Sequence, residues 1–127
     1  MSVRFNHTIV HSQDKKLSAS FLAGILGLAE PTTFGHFQVV ALHDSASLDF
    51  IDAGGERFDR QHYAFLVDES EFDPIFARIR ARGIDYWADP FRKQRGEINH
   101  HFGGRGVYFA GPDDHLFEVI TRPYGSS

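Results

Sequence analysis

The sequence predicts an α+β fold built from one pattern used twice: strand, helix, strand, strand, strand. Three observations predict it. Apolar residues pass from short β-branched runs to helical spacing and back within residues 4–52, and the same change recurs over residues 61–121. The opening strands FNHTIV (5–10) and RQHYAF (60–65) align with His7 over His62. The closing strands HDSASLDFI (43–51) and PDDHLFEVI (112–120) align with Asp49 over Glu118. A match at both ends, with a coordinating side chain in each strand, argues for an internal repeat.

Each element follows from local chemistry. RFNHTIVH (4–11) is short, β-branched and bounded by the polar SQDKK, which reads as a strand. In the stretch that follows, Leu17, Phe21, Ile25 and Leu28 recur at helical spacing; Ser12 or Asp14 can cap the start and Gly27 can end it. Two or three strands come next, in TFGHFQVVALH (33–43) and SLDFID (47–52), and the glycines and charges of 53–60 mark a linker. QHYAFLVD (61–68) restarts the pattern as a strand. The helix after it carries the apolar stripe Phe72, Ile75, Phe76 and Ile79, with Ser70 and Asp73 as a capping arrangement, Pro74 in the first turn and Gly83 as its stop. IDYWA (84–88), GVYFA (106–110) and LFEVIT (116–121) complete three strands, the last two joined by the turn GPDD.

With 127 residues the chain suffices for one domain, read here as a first module over about 3–52, a linker over 53–60 and a second module over about 61–122. A chain of this length buries roughly 65–70% of its unfolded surface and needs no covalent staple. There is no cysteine, which excludes disulfides, thiolate metal sites and a thiol nucleophile, and fits a cytoplasmic location. The N-terminal residues lack the layout of a signal peptide, and the longest apolar run, 21–29, is well short of the ~20 residues that span a bilayer. At a net charge of −4, with Lys and Arg dispersed, no nucleic-acid footprint is expected, and FARIRARG (76–83) reads as the solvated face of a helix. Eight histidines and thirteen phenylalanines describe an aromatic interior with many potential ligands.

Glu118 poses the sharpest question, because Leu116, Phe117, Val119 and Ile120 around it look like core. A buried carboxylate is costly unless it is paired or bound to a cation. Strand alternation puts His7 with Phe5 and Ile9, His62 with Ala64 and Leu66, and Glu118 with Ile120. Should those three faces line one concave surface, two imidazoles and a carboxylate converge as a facial set that leaves metal positions open. Taken singly, His7 and His62 read as core or edge histidines, and Glu118 as an outward strand charge. Taken jointly, at matching places of a repeat, they favour a metal site.

The double strand–helix–three-strand layout, the NHTIV and QHYAFLV strands, and RGVYFAGPDDHLFEVITRP (105–123) together resemble the vicinal oxygen chelate superfamily over about residues 3–122. That group contains glyoxalase I, extradiol dioxygenases, fosfomycin-resistance enzymes and bleomycin-resistance proteins. YFAGPDDHLFEVI (108–120) is similar to its closing signature, with Gly111 and Asp114 departing from the commonest letters in the turn. The resemblance implies curved mixed sheets around a cavity, as in glyoxalase, and one divalent metal held by His7, His62 and Glu118. Iron or manganese is favoured, with zinc or nickel possible. A fourth ligand position of glyoxalase I falls at Asp49, which is otherwise a polar wall residue facing substrate or an outward charge. The resemblance also implies a homodimer that swaps modules in some members, so His7 and the other two ligands come either from one chain or from two.

The implied chemistry is chelation of adjacent oxygens on a small-molecule substrate, with an extradiol-type oxygenase slightly ahead of an isomerase, lyase or hydrolase. Tyr108 matches a family active-site tyrosine that donates to bound substrate; its alternative is a strand aromatic with a solvated hydroxyl. His100 and His101 are adjacent, so at most one serves the site, as a proton shuttle or substrate contact; otherwise both are exposed loop residues. Arg105 either forks onto an anionic substrate group or pairs at the surface, and Trp87 and Phe91 either wall the cavity or fill core. His36, His43 and His115 are read as binding nothing. The potassium loop of the fosfomycin thiol transferases has no visible counterpart in EINHHFGGRG (97–106). The rival class is a bleomycin-resistance-type dimer that sequesters a drug in aromatic grooves and needs no metal triad.

Overall fold

Asp14 opens the first helix as its side chain accepts a hydrogen bond from the Leu17 amide, and Gly27 closes it in the left-handed conformation (φ 72°). The computed structural model that shows this describes residues 2–126. Its described residues divide into two compact units, which meet in sequence between residues 59 and 60.

The first unit holds β1 (His7–Ser12), α1 (Lys15–Leu26), β2 (Thr32–Phe34), β3 (Phe37–Ala41) and β4 (Ser47–Asp52). The second holds β5 (His62–Leu66), α2 (Glu69–Ala81), β6 (Tyr86–Trp87), β7 (Gly106–Ala110) and β8 (Leu116–Ile120). The sheets run β1-β4-β3-β2 and β5-β8-β7-β6, so each opening strand is an edge paired in parallel with the closing strand of its own unit. The remaining pairings are antiparallel. This is the predicted α+β fold of two strand–helix–three-strand modules. The stretch 33–43 is broken by a turn at Gly35 (φ 57°) into two strands, giving three after α1.

The repeat extends to register. His7 pairs with Ser47 and His62 with Leu116, while Asp49 and Glu118 each lie two positions further along, opposite Ile9 and Ala64. Side-chain alternation then keeps each histidine and acid on one face of its sheet.

The opposite faces form the cores. In the first unit Val10, Val40, Leu48 and Phe50 are buried with Ala19, Leu22, Ala23, Ile25 and Leu26 of α1. The expected stripe on α1 is out of phase with this: Leu17 is 58% exposed, Phe21 is half-buried, Leu28 lies beyond the helix, and only Ile25 is shared. Ser18, Ala19 and Ala23 take the packed face, where small side chains let helix and sheet approach closely, and such residues carry little hydrophobic signal.

In the second unit Phe72, Ile75 and Ile79 of α2 are buried as expected, and Phe76 is half-buried. The N-cap is Asp68 rather than Ser70, and it makes no side-chain cap hydrogen bond. Pro74 lies inside the helix rather than in its first turn, so one backbone donor is missing there. Phe117 anchors the aromatic core, with Phe109, Tyr63 and Phe65 rings at 5.6, 5.9 and 6.2 Å. No helix among the described residues is long and apolar enough to cross a membrane.

Candidate functional site

Alternation along β8 sends Phe117 and Val119 to the core and Glu118 to the other face, yet Glu118 is only 1% exposed. The register explains its company. Tyr108 of β7 lies directly opposite Glu118 on one side and Ala64 of β5 on the other. Ala64 is too small to cover the carboxylate, and His62, two positions earlier on the same face, reaches across to it. His62 Nε2 stands 3.0 Å from Glu118 Oε1, with the imidazole 42% exposed. The His62 and Tyr108 rings lie 5.7 Å apart.

A fourth group joins from beyond β8. The Tyr124 hydroxyl donates to Glu118 Oε1 at 2.8 Å and Oε2 at 2.7 Å, and it lies 3.3 Å from the Tyr108 hydroxyl. Sequence reasoning missed Tyr124, which lies past the last strand and outside the resemblance. Its only signal is a tyrosine between Pro123 and Gly125, six residues after the buried acid. Burial, then the contacts with Tyr124 and Glu118, hold the Tyr108 phenol well above its ordinary pKa. The Tyr124 phenol is also raised, chiefly by burial, with Glu118 reinforcing the shift and the Tyr108 hydrogen bond opposing it. Both hydroxyls therefore keep their protons at neutral pH and act as donors to an oxygen nearby.

The first unit carries the register counterparts. His7 is exposed on edge strand β1, its Nδ1 2.6 Å from the Asn6 side-chain oxygen. Asp49 is half-buried and accepts a hydrogen bond from the Ser47 hydroxyl at 2.7 Å.

Other residues singled out by sequence stand apart from the His62–Glu118 pair. Arg105 turns to α2, pairing with Glu69 at 2.6 Å and Asp73 at 2.7 Å while its guanidinium covers the Phe72 ring at 4.4 Å. Trp87 is buried, in register with Tyr108, beneath the Arg92 guanidinium at 5.0 Å. Phe91, expected in the core or a cavity wall, is 77% exposed. His100 is exposed in the loop before β7. His115 is a core residue, its Nδ1 accepting from the Gln61 amide at 2.9 Å and its ring edge-on to Tyr63.

An imidazole nitrogen and a carboxylate meeting on one sheet face suit a borderline divalent cation, so the donor chemistry of His62 and Glu118 fits a metal. Among the described residues no group of three or more His, Cys, Asp or Glu able to hold a metal ion is present.

No protein-family model matches the chain. The solved structure of Oxidase ChaP-H1 is 57% identical to it with a TM-score of 0.95, covering 98% of this chain and 100% of that one. Among curated proteins, the metallothiol transferase FosB of Shouchella clausii is 37% identical over 71 residues, 56% of this chain but only 44% of FosB. The glutathione transferase FosA of Serratia marcescens is 27% identical over 122 residues, 90% of this chain and 77% of FosA.

Proposed function

Because the chain belongs to the vicinal oxygen chelate superfamily, we propose that it is a divalent-metal enzyme acting on a small substrate with two adjacent oxygens. The proposed ligands are His62, Glu118 and His7, the register counterpart of His62 in the first unit. One observation carries the reading: a carboxylate 1% exposed meets an imidazole at 3.0 Å. Sheet packing alone has no use for an acid there, since an apolar residue would fill the place without the desolvation cost.

A cation bound to this set would supply Lewis-acid stabilisation of substrate oxygens. The chain's own residues supply the rest. Glu118 brings negative charge to the site, and His62 stands exposed enough to turn from the carboxylate toward a ligand. Tyr108, protonated at neutral pH, donates a hydrogen bond to a substrate oxygen. Asp49 is proposed as a substrate-facing wall residue, with Trp87 supporting Tyr108 from β6 and His100 as a proton carrier. Arg105 is held by Glu69 and Asp73, and a role toward substrate requires it to leave them.

Within that class an oxygenase acting through iron or manganese is favoured over an isomerase, lyase or hydrolase. The support is the His–His–carboxylate donor set and the 57% identical relative named as an oxidase. The proposed functional form is a homodimer of single-domain chains, working in the cytoplasm.

Elemental mass spectrometry of protein purified without a histidine tag tests the reading. About one iron, manganese, zinc or nickel per chain is expected in wild type and none in Glu118→Ala or His62→Ala. A wild type that stays empty after anaerobic, reducing exposure to these metals overturns it and turns attention to a drug-binding dimer.

A further inference from the structure

We infer that Tyr124 is a strap that closes the metal-binding carboxylate in the metal-free protein and must leave for a cation to enter. The inference rests on the proposed role of Glu118 as a ligand. Both oxygens of Glu118 are already engaged: Oε1 by His62 Nε2 and the Tyr124 hydroxyl, Oε2 by the same hydroxyl. A cation bridging His62 and Glu118 needs lone pairs on the very atoms these contacts use. One hydroxyl lying across both oxygens therefore competes directly with a metal at either of them.

The seat of Tyr124 is built as well as occupied. Its ring lies 5.8 Å from Phe102, in the loop before β7, and Phe102 adopts φ 58°. That backbone region is strained for a bulky residue, and here it presents an aromatic ring to the strap. The Tyr108 hydroxyl backs the Tyr124 oxygen at 3.3 Å. Yet Tyr124 as a whole is 61% exposed and lies in an irregular segment, so little core packing opposes its release. A residue held by its hydroxyl and one ring contact, and otherwise in water, suits a displaceable contact. When the strap leaves, Glu118 is freed for the cation and the Tyr108 hydroxyl is released from Tyr124 and can turn to substrate. Metal loading and exposure of the substrate-side donor are thereby one event.

Metal-free wild type, Tyr124→Phe and Glu118→Ala are titrated with Mn²⁺, following free Mn²⁺ by electron paramagnetic resonance. Phenylalanine keeps the ring against Phe102 and deletes only the competing hydroxyl. Removing one hydrogen bond to a charged group should tighten Mn²⁺ binding about tenfold. In wild type, Mn²⁺ should also accelerate chymotryptic cleavage after Tyr124, read by mass spectrometry. Equal or weaker binding by Tyr124→Phe, with binding abolished in Glu118→Ala, overturns the strap and leaves the metal site standing. Cleavage after Tyr124 that Mn²⁺ leaves unchanged overturns it equally. If neither wild type nor Tyr124→Phe binds Mn²⁺, the metal reading falls and the strap falls with it.

Discussion

Tyr108 and Glu118 are directly opposed across the β7–β8 ladder, so a phenol and a buried carboxylate share one sheet face. Directly opposed side chains on neighbouring strands stand close enough to sense each other's charge and burial. The Glu118 carboxylate is buried, bonded by His62 and Tyr124 and in contact with Tyr108. On the proposed function, such a group serves binding at the expense of stability. Glu118→Gln preserves shape and one acceptor oxygen for the Tyr124 hydroxyl while removing the charge. The metal-free variant should melt above metal-free wild type, by about 3–5 °C for each ~1 kcal/mol recovered in a chain of this size. It should also lose metal binding. Calorimetry on both proteins after chelation checks this, and a lower melting temperature for Glu118→Gln contradicts it.

Metal should stabilise the protein through the same pair of residues. A ligand that binds only the folded state at a hundredfold excess over its Kd adds about 2.7 kcal/mol, which here raises Tm by roughly 10 °C. Thermal scans of wild type with and without Mn²⁺ or Fe²⁺ should show that rise. His62→Ala should fold, because its imidazole is largely outside the core, and should show none of it. A full shift in His62→Ala excludes His62 as a ligand.

Much of this was legible in the sequence, for identifiable reasons. Glu118 stood out because a carboxylate among Leu116, Phe117, Val119 and Ile120 violates burial rules, and period-two alternation then put it on the face away from Phe117. The His7–His62 and Asp49–Glu118 alignments survive as register because both units build the same parallel edge pairing. Three things were hidden. The packed face of α1 joins Leu22, Ile25 and Leu26 to Ser18, Ala19 and Ala23, and the small residues allow close approach while blurring the hydrophobic period. For Arg105 surface pairing was one of the two readings, but its partners on α2 were not legible, nor that the flanking glycines serve proximity: a Cβ on Gly104 would sit 2.5 Å from the Thr121 hydroxyl. Tyr124 reaches back six residues along the chain to its partner, a contact made by an irregular segment that no periodicity encodes.

Arg105 should behave as a brace between β7 and α2. Its side chain is 23% exposed, forks onto Glu69 and Asp73 and lies over Phe72. Arg105→Ala should cost about 1–2 kcal/mol, from the lost cation–π contact and partly screened ion pairs. Arg105→Lys should recover only part of that, since an ammonium cannot fork onto two acids while stacking on a ring. Urea unfolding measures the loss, and metal content should be unchanged in both variants. A stability equal to wild type, with metal or ligand binding impaired, would move Arg105 into the site.

The turn at Asp114 should give the second unit an acid-sensitive clamp. Asp114 adopts φ 63° and its carboxylate joins Arg60 and Arg92, the latter at 2.9 Å. Burial pushes its pKa up, but hydrogen bonds from Arg60 and Arg92 outweigh this and hold it below the ordinary carboxylate value. A depressed folded pKa means the unfolded chain takes up the proton first as pH falls. The stabilisation is therefore complete above the unfolded value of about 4 and disappears as pH drops through the folded value. Because the side chain is 45% exposed, salt should weaken the clamp. Asparagine tolerates the left-handed backbone, so Asp114→Asn removes the charge without straining the turn. The difference in urea midpoint between wild type and Asp114→Asn should be present at pH 7 in low salt, shrink in high salt, and shrink as pH falls below the unfolded carboxylate value of about 4. A difference that is the same at pH 7 and pH 3 would show that Asp114 acts through turn shape alone.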